Sequence, residues 1–125
     1  MKIDHINISA PKKYLEPEKV FLCEVFQLKE GPRPNFSRPG YWLYHEDKPL
    51  IHMVQSDTHV KHETNGFLDH VAFQMTGLEA LVNRLNALGI DFTTTNLTEI
   101  GTTQLFFYSP SGLRLEANFV DEVLS

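Results

Sequence analysis

Three features that would place this chain in a specialised class are scarce or missing from its sequence. Cys23 is the only cysteine, which rules out an internal disulfide framework and fits a reducing compartment. No segment approaches the roughly 20 apolar residues that a membrane-spanning helix needs. The first residues alternate in polarity and lack the apolar core of a signal peptide. We therefore expect a cytoplasmic protein without a membrane partner.

Positive charge is also scarce, because 11 Lys and Arg residues face 16 Asp and Glu residues, for a formal net charge of -5. A nucleic-acid-binding domain usually presents a basic face, so we expect no nucleic-acid partner. The length of 125 residues, with 42% hydrophobic and 22% charged residues, is typical of one globular domain. Such a chain can bury a core without disulfide bonds.

An internal repeat is the most informative feature that is present. Residues 3–8 and 68–73 both read apolar, Asp, His, apolar, small, apolar, so that His5 and His70 stand 65 positions apart. Both segments alternate with a period of two, which predicts half-buried strands. A helix is predicted after each strand. The first covers roughly residues 17–26, with Pro17 in its first turn, and the second covers 78–88, with Thr76 as its cap.

Each half then continues with apolar runs separated by turns. These runs cover residues 41–44 and 50–54 in the first half, and 104–108 and 113–117 in the second half. A shift of 64 positions places His52 on Glu116. We therefore predict an α+β fold: two βαβββ modules, about 1–55 and 67–120, that form one cupped mixed sheet. The polar link 56–66 joins them within a single domain, 1–125.

Side chains of a strand alternate between its two faces, and this alternation groups the candidate residues. His5 shares a face with Asn7, His70 with Ala72 and Gln74, and Glu116 with Arg114 and Asn118. The opposite faces are apolar and are expected to cover the helices. Polar side chains on the concave side of a curved sheet are typical of a binding site.

The candidate ligands are His5, His70 and Glu116, with His52 as a fourth. An unpaired imidazole is unfavourable in a strand as apolar as 50–54, so His52 needs a partner, and a metal is one. His52 could instead support a ligand or contact the substrate directly. Two or three imidazoles and a carboxylate suit one divalent ion of Fe, Mn, Ni, Co or Zn.

The paired His-bearing strands, the turn at Pro110 to Gly112 and the ending Leu115 to Phe119 resemble the vicinal-oxygen-chelate superfamily, in an uncharacterised glyoxalase-like branch. This superfamily includes glyoxalase I, extradiol dioxygenases and bleomycin-resistance proteins. The resemblance implies a cupped sheet around one metal, with His5, His70 and Glu116 as ligands, and a homodimer. The ligands could come from one chain or from both chains of that dimer. Where glyoxalase I usually has Glu or Gln on the fourth strand, this chain has His52. Where a Gly commonly closes the first helix, it has Gln27.

Three functions fit this interpretation. The first is a metal-dependent enzyme of the glyoxalase or isomerase (lyase) type, in which a small molecule is chelated through two oxygens. Its general base would be Glu116 or a metal-bound water. The second is an Fe(II)-dependent dioxygenase, which needs three open metal positions and therefore a His52 that does not bind the metal. The third is a non-catalytic, resistance-type binding protein, and the intact ligand set argues against it.

Several other residues are weaker candidates. Arg33 and Arg38 could clamp an anionic substrate, and Gln104 could orient it. The histidines His45, His59 and His62 are expected to lie in solvated loops. The aromatic residues Trp42, Tyr44, Phe106 and Tyr108 are expected to be mostly core.

Overall fold

The structure is a computed structural model that describes residues 1–59 and 67–124. The first half of the chain contains β1 (Ile6–Ala10), α1 (Lys12–Phe26), β2 (Lys29–Gly31), β3 (Gly40–His45) and β4 (Lys48–Gln55). The second half contains β5 (Val71–Met75), α2 (Leu78–Ala87), β6 (Thr93–Leu97), a 3₁₀ turn (Thr98–Ile100), β7 (Thr102–Tyr108) and β8 (Arg114–Val120). The two halves therefore repeat one βαβββ order.

The strands pair as two four-stranded mixed sheets with the same topology. Their orders are β1-β4-β3-β2 and β5-β8-β7-β6, and in each the first strand is parallel to the last. The chain divides into two compact units, Met1–Glu63 and Thr64–Ser125, called the first and second unit below. The predicted α+β class with two βαβββ modules is confirmed. The prediction combined the strands of both modules in one cupped sheet, whereas the structure has two sheets, one in each unit.

The strand registers place equivalent residues at equivalent positions in the two sheets. His52 lies between Asn7 of β1 and Trp42 of β3 in the first unit. Glu116 lies between Ala72 of β5 and Phe106 of β7 in the second unit. The offset of 64 or 65 positions that relates the two halves of the sequence therefore also relates the two sheets.

One face of each sheet forms the core of its unit. On β8, the side chains of Leu115, Ala117 and Phe119 are buried, and Ile51 and Met53 are buried on β4. Helix α1 contacts β1, β3 and β4 and adds buried apolar side chains, namely Leu15, Leu22 and Val25. Because side chains alternate along a strand, the residues between these core positions lie on the opposite, polar face of each sheet.

This alternation also corrects the expectation for the aromatic residues. Trp42, Tyr44 and Phe106 are only half-buried, and Tyr108 is 61% exposed, so none of the four belongs to the buried core. Their neighbours Leu43, Leu105 and Phe107 fill the core instead. Large aromatic side chains thus lie on the polar face, beside the candidate ligands.

Both helices begin differently from the prediction. Helix α1 starts at Lys12, directly after Pro11, and Pro17 lies inside it rather than in its first turn. Helix α2 starts after Gly77, whose φ is 86°, and has no side-chain cap from its N-cap residue, so the predicted Thr76 cap is wrong. The carboxylate of Glu122 accepts hydrogen bonds from the backbone N–H groups of Gly77 and Leu78, at 3.1 and 2.8 Å from Oε1.

The first residues of several strands and the positions of two edge strands also differ from the prediction. Strands β1 and β5 begin at Ile6 and Val71, so His5 and His70 each lie immediately before a strand. The βαβββ order includes a further strand in each half, but the positions of the short edge strands β2 and β6 were not predicted. Lys29–Gly31 is polar and every residue of Thr93–Leu97 is exposed. In the predicted link, 60–66 lie outside the described residues, and His62 is among them.

No helix within 1–59 or 67–124 has both the length and the apolar character that crossing a membrane requires.

Candidate metal site

The first unit brings His5 and His52 together as stacked rings. Their centroids are 3.7 Å apart and their planes differ by 11°. The indole of Trp42 also stacks on His52, with centroids 4.1 Å apart and planes 13° apart. The imidazole of His52 therefore lies between two other rings.

His52 has an unused nitrogen. Its Nε2 atom is buried and has no hydrogen-bond partner among the described residues. Burial lowers the pKa of His52 below its ordinary value of 6.5, and the nearby His5 lowers it further. The imidazole is therefore neutral at pH 7 and keeps a lone pair that could bind a metal. A buried nitrogen without any partner is unfavourable.

The imidazole of His5 is oriented by the residue that precedes it. The Nδ1 atom of His5 lies 2.8 Å from Asp4 Oδ2, and Lys48 Nζ donates to Asp4 Oδ1 at 2.6 Å. The hydrogen bonds from His5 and then Lys48 lower the pKa of Asp4 to about 2, so this carboxyl group is ionised. A carboxylate that accepts from Nδ1 leaves Nε2 of a neutral imidazole as the free lone pair.

The second unit repeats this arrangement. His70 Nδ1 lies 2.7 Å from Asp69 Oδ2, and Arg114 Nη1 donates to the same carboxylate. The hydrogen bonds from His70 and then Arg114 lower the pKa of Asp69. On the other side of the ring, His70 Nε2 lies 3.1 Å from Glu116 Oε1. The two predicted ligands of this unit are therefore in direct contact.

Glu116 is buried, with 4% of its surface exposed, and its second oxygen is fully engaged. Oε2 accepts hydrogen bonds from Gln104 Nε2 at 3.3 Å and from Asn118 Nδ2 at 3.1 Å. A buried carboxylate requires such donors. Gln104, a candidate for orienting the substrate, thus contacts Glu116 in this structure.

The described residues show pairs of candidate ligands rather than larger groups. Across 1–59 and 67–124, no three His, Cys, Asp or Glu side chains come together in a way that could hold a metal ion. His5 and His52 form one pair, and His70 and Glu116 form the other.

The remaining candidates lie elsewhere. Arg33 is half-buried and its guanidinium lies over the ring of Phe36, whereas Arg38 is exposed. His45 is exposed beside Glu46, and His59 contacts Ser56. His59 therefore has the loop position that the sequence predicted. The loop prediction is wrong for His45, which is the last residue of β3, although its side chain is exposed as expected.

The donor atoms of the two pairs suit a divalent metal. Imidazole nitrogens and one carboxylate are ligands that Fe, Mn, Ni, Co and Zn accept, and the unpartnered Nε2 of His52 is a donor without another role. Because imidazole lone pairs lie in the ring plane, the nearly parallel rings of His5 and His52 cannot both point at one ion. His5, which is the more exposed ring and precedes β1, would have to turn.

Sequence reasoning missed several residues of the site. Asp4 and Asp69 are part of the repeat, and their position next to each histidine was the available signal. Trp42 was expected in the core, and Asn118 was noted only as sharing a face with Glu116. The contact of Arg114 with Asp69 joins residues 45 positions apart, and no local pattern indicates it.

No protein-family model matches the chain, and no curated protein matches it. Several solved structures do match the chain. A protein assigned to the glyoxalase family from Bacillus anthracis is 21% identical, with a TM-score of 0.76, and the match covers 96% of this chain and 95% of that one. A glyoxylase/bleomycin resistance protein/dioxygenase domain from Frankia sp. EAN1pec is 23% identical, with a TM-score of 0.74 and coverages of 99% and 95%.

A third match is a variant of the fosfomycin resistance protein FosX from Listeria monocytogenes, complexed with Mn(II) and 1S,2S-dihydroxypropylphosphonic acid. It is 17% identical, has a TM-score of 0.69, and the match covers 95% of this chain and 92% of that one. At these identities the likeness concerns the fold. The chain shares its fold with glyoxalase family proteins and with FosX, as the resemblance in its sequence predicted.

Proposed function

We propose that this chain is a metal-dependent enzyme whose small-molecule substrate is chelated through two neighbouring oxygens, with glyoxalase- or isomerase-like chemistry. The observation that carries the proposal is the Nε2 atom of His52, which is buried without a partner in an imidazole that burial keeps neutral. Hydrogen-bond donors and acceptors at such positions are rarely left unused. A metal would use this lone pair.

His5, His52, His70 and Glu116 would hold one divalent ion of Fe, Mn, Ni, Co or Zn. Asp4 and Asp69 would keep the Nδ1 atoms of their neighbouring histidines protonated, so that Nε2 is the ligating atom. When bound, the metal supplies a Lewis acid that accepts two substrate oxygens and stabilises the negative charge that develops on them.

Glu116 is the proposed general base. Gln104 and Asn118 hold its Oε2 atom, so Oε1, on the side of His70, is the oxygen that would take up a proton from the carbon next to a carbonyl. The same oxygen would return the proton to the substrate, which leaves the enzyme unchanged. A base must lie within hydrogen-bond reach of the proton that it moves.

The solved structure of the FosX complex also supports the proposal. That protein, which has the same fold, is seen with a divalent metal and with a ligand whose two hydroxyl groups are adjacent. Arg33 and Arg38 remain proposed contacts for an anionic part of the substrate of this chain.

Metal content would test the proposal directly. Untagged protein, purified without chelator, should carry about one ion per chain, whereas His70→Ala and Glu116→Ala should lose it. His45→Ala is the matched control, because His45 is an exposed histidine outside both pairs. If wild-type protein stays metal-free after reconstitution with each candidate ion, the enzyme proposal is contradicted. The chain would then be a non-catalytic binding protein.

The identity of the metal and one reaction would then separate the enzyme classes. We expect metal-loaded protein to exchange solvent deuterium into a hydroxycarbonyl substrate, and Glu116→Gln to exchange at least about tenfold more slowly. Iron together with oxygen uptake in the presence of catechols, without exchange, would instead identify a dioxygenase.

We also propose that the protein is a homodimer. Its mass in solution would then be twice the chain mass of 14.4 kDa, and light scattering would measure it. A mass of 14.4 kDa at micromolar concentration would contradict the dimer while leaving the metal proposal intact.

A further inference from the structure

Each unit places an arginine over an aromatic ring, but the two arginines differ in their charge partners. In the second unit, Arg114 lies 4.4 Å from the ring centre of Phe106 and forms an ion pair with Asp69. In the first unit, Arg33 lies 4.8 Å from the ring centre of Phe36. No ion pair of Arg33 is found among the described residues, and its Nε atom is buried without a hydrogen-bond partner.

Arg33 stands at the end of a row of rings. The rings of Phe36 and Trp42 are 6.3 Å apart between centroids, and Trp42 stacks on His52 at 4.1 Å. All these residues belong to the first unit. We call Arg33, Phe36 and Trp42 the arginine–aromatic row. It extends from Arg33, which has no ion-pair partner among the described residues, to the candidate metal ligand His52.

The backbone makes room for this cation. A Cβ atom at Gly40 would come within 2.9 Å of Nη2 and 3.0 Å of Cζ of Arg33, and it would overlap the carbonyl oxygen of Met53. The overlap with the carbonyl oxygen of Met53 means that only glycine fits at position 40, and this glycine also leaves space for the guanidinium. Arg33 is half-buried and lies against the start of β3.

The chemistry of a guanidinium indicates what such an arginine binds. Its N–H groups lie in its plane, so it binds an acceptor along the edge of that plane. The Cζ atom of Arg33 lies over the ring of Phe36, 4.8 Å from its centre. A planar carboxylate matches that edge with two parallel hydrogen bonds. The exposed ring of Phe36 and the half-buried indole of Trp42 offer apolar surface beside it. An aromatic ligand stacks on such surfaces favourably.

We propose that the arginine–aromatic row recognises the non-reacting end of the substrate, and that this end is a flat aromatic group carrying a carboxylate. The role as part of a substrate site rests on the proposed function. The recognition itself needs neither metal nor turnover, because none of the three side chains is a proposed metal ligand.

The experiment uses the full chain, stripped of metal and dialysed free of chelator, with 2-naphthoate as the probe. Isothermal titration calorimetry gives the Kd. Nuclear magnetic resonance locates the probe, because Trp42 is the only tryptophan and gives one indole N–H signal. We expect binding with a shift of that signal. We expect Arg33→Gln to raise the Kd at least about tenfold, as loss of a bidentate charged pair should, and Phe36→Leu to raise it about fivefold.

Lys13→Gln and Tyr14→Leu are the matched controls. They remove another cation–aromatic pair of the first unit, in which Lys13 Nζ lies 5.0 Å from the ring centre of Tyr14, and they should leave the Kd unchanged. Thermal unfolding of each variant verifies that it is folded. The proposal is overturned if 2-naphthoate does not bind wild-type protein at millimolar concentration, if Arg33→Gln binds it equally well, or if 2-naphthamide binds as tightly. Because the protein is metal-free throughout, these outcomes are independent of the metal-content test.

Discussion

The aspartate that precedes each candidate histidine has the same role in both units. Asp4 and Asp69 accept from Nδ1 of His5 and His70, and each is also bound by a cation from another part of its unit. The cation differs, Lys48 in one unit and Arg114 in the other, whereas the carboxylate and its geometry recur. The aspartates are positioning residues, which orient the nitrogen that would bind metal.

Replacing Asp69 by Asn should weaken metal binding without abolishing it. The amide cannot fix the Nδ1–H tautomer as a carboxylate does, and loss of such a partner commonly lowers metal affinity by about 10- to 100-fold. Competition with a chromogenic chelator would measure the Kd, and ¹⁵N shifts of the histidine ring would report the tautomer. Asp91→Asn, at an exposed position in the same unit, is the control. An unchanged Kd and tautomer in Asp69→Asn would contradict the role.

A second prediction concerns the contact between α1 and β3. The Tyr41 hydroxyl donates to the Glu16 carboxylate, and this hydrogen bond lowers the pKa of Glu16 from its ordinary 4.5. The stabilisation is therefore fully present above pH 4.5 and is lost as the pH falls below that value. Because solvent reaches Glu16 and screens the interaction, we expect Tyr41→Phe to reduce the free energy of unfolding by only about 0.5 kcal/mol at pH 7.

Urea unfolding at several pH values would measure this effect. The difference between Tyr41→Phe and wild-type protein should shrink as the pH falls from 6 towards 3. Tyr14→Phe is the control, because Tyr14 is an exposed tyrosine of α1. A difference that stays constant across this range would show that the hydroxyl acts through packing rather than through the carboxylate.

At the scale of elements, the sequence predicted what alternation and helical spacing can encode. The buried face of β8 is correct, because Leu115 and Ala117 alternate with Glu116 and its polar neighbours. The apolar run of β4 has no such alternation, so its sequence does not show which face is buried. The start of α1 and the position of the edge strand β6 were not predicted. Pro17 lies inside α1, whose buried apolar side chains pack against the sheet, so the proline does not mark the start of the helix. The edge strand β6 has no buried residues, so its sequence lacks the apolar alternation that predicts a strand.

The end of α1 offers a stabilising substitution. Gln27 closes this helix with φ 55° and ψ 43°, a left-handed conformation in which a side chain is unfavourable. Gln27→Gly should therefore raise the free energy of unfolding by about 1 kcal/mol. Gln55→Gly is the control, because Gln55 ends the extended strand β4, where glycine should destabilise. Chemical denaturation would measure the free energy of unfolding of both variants, which should rise for Gln27→Gly and fall for Gln55→Gly. Destabilisation by Gln27→Gly would refute the argument.

The start of α2 depends on a residue that follows the last strand. Glu122 accepts from the N–H groups of Gly77 and Leu78, which would otherwise lack partners at the helix terminus. Its negative charge also interacts favourably with the helix dipole. Glu122→Gln should lower the free energy of unfolding by about 1 kcal/mol. Glu99→Gln, in the 3₁₀ turn of the same unit, is the control, and equal effects of the two substitutions would contradict the cap.

At the scale of the whole molecule, the repeat explains why a sequence without a matching family model still indicates its fold. Two copies of one strand order give two sheets with equivalent registers, so the sequence alone is enough to match His52 with Glu116. The repeat could not reveal the differences between the copies. The carboxylate partner of Arg114 and the absence of one for Arg33 among the described residues arise from contacts distant in sequence, and only the folded units show them.

The last prediction uses the stability of the whole chain as a measure of metal binding. A ligand that binds only the folded state at 100 times its Kd stabilises that state by about 2.7 kcal/mol. For a chain of this length, this corresponds to a rise in Tm of roughly 10 °C. Wild-type protein and His45→Ala should show this rise with the correct ion, and addition of a chelator should reverse it. His52→Ala should reduce the rise, because it removes one proposed ligand, whereas His70→Ala and Glu116→Ala should abolish it. An equal rise in all variants would mean that the metal binds elsewhere on the protein.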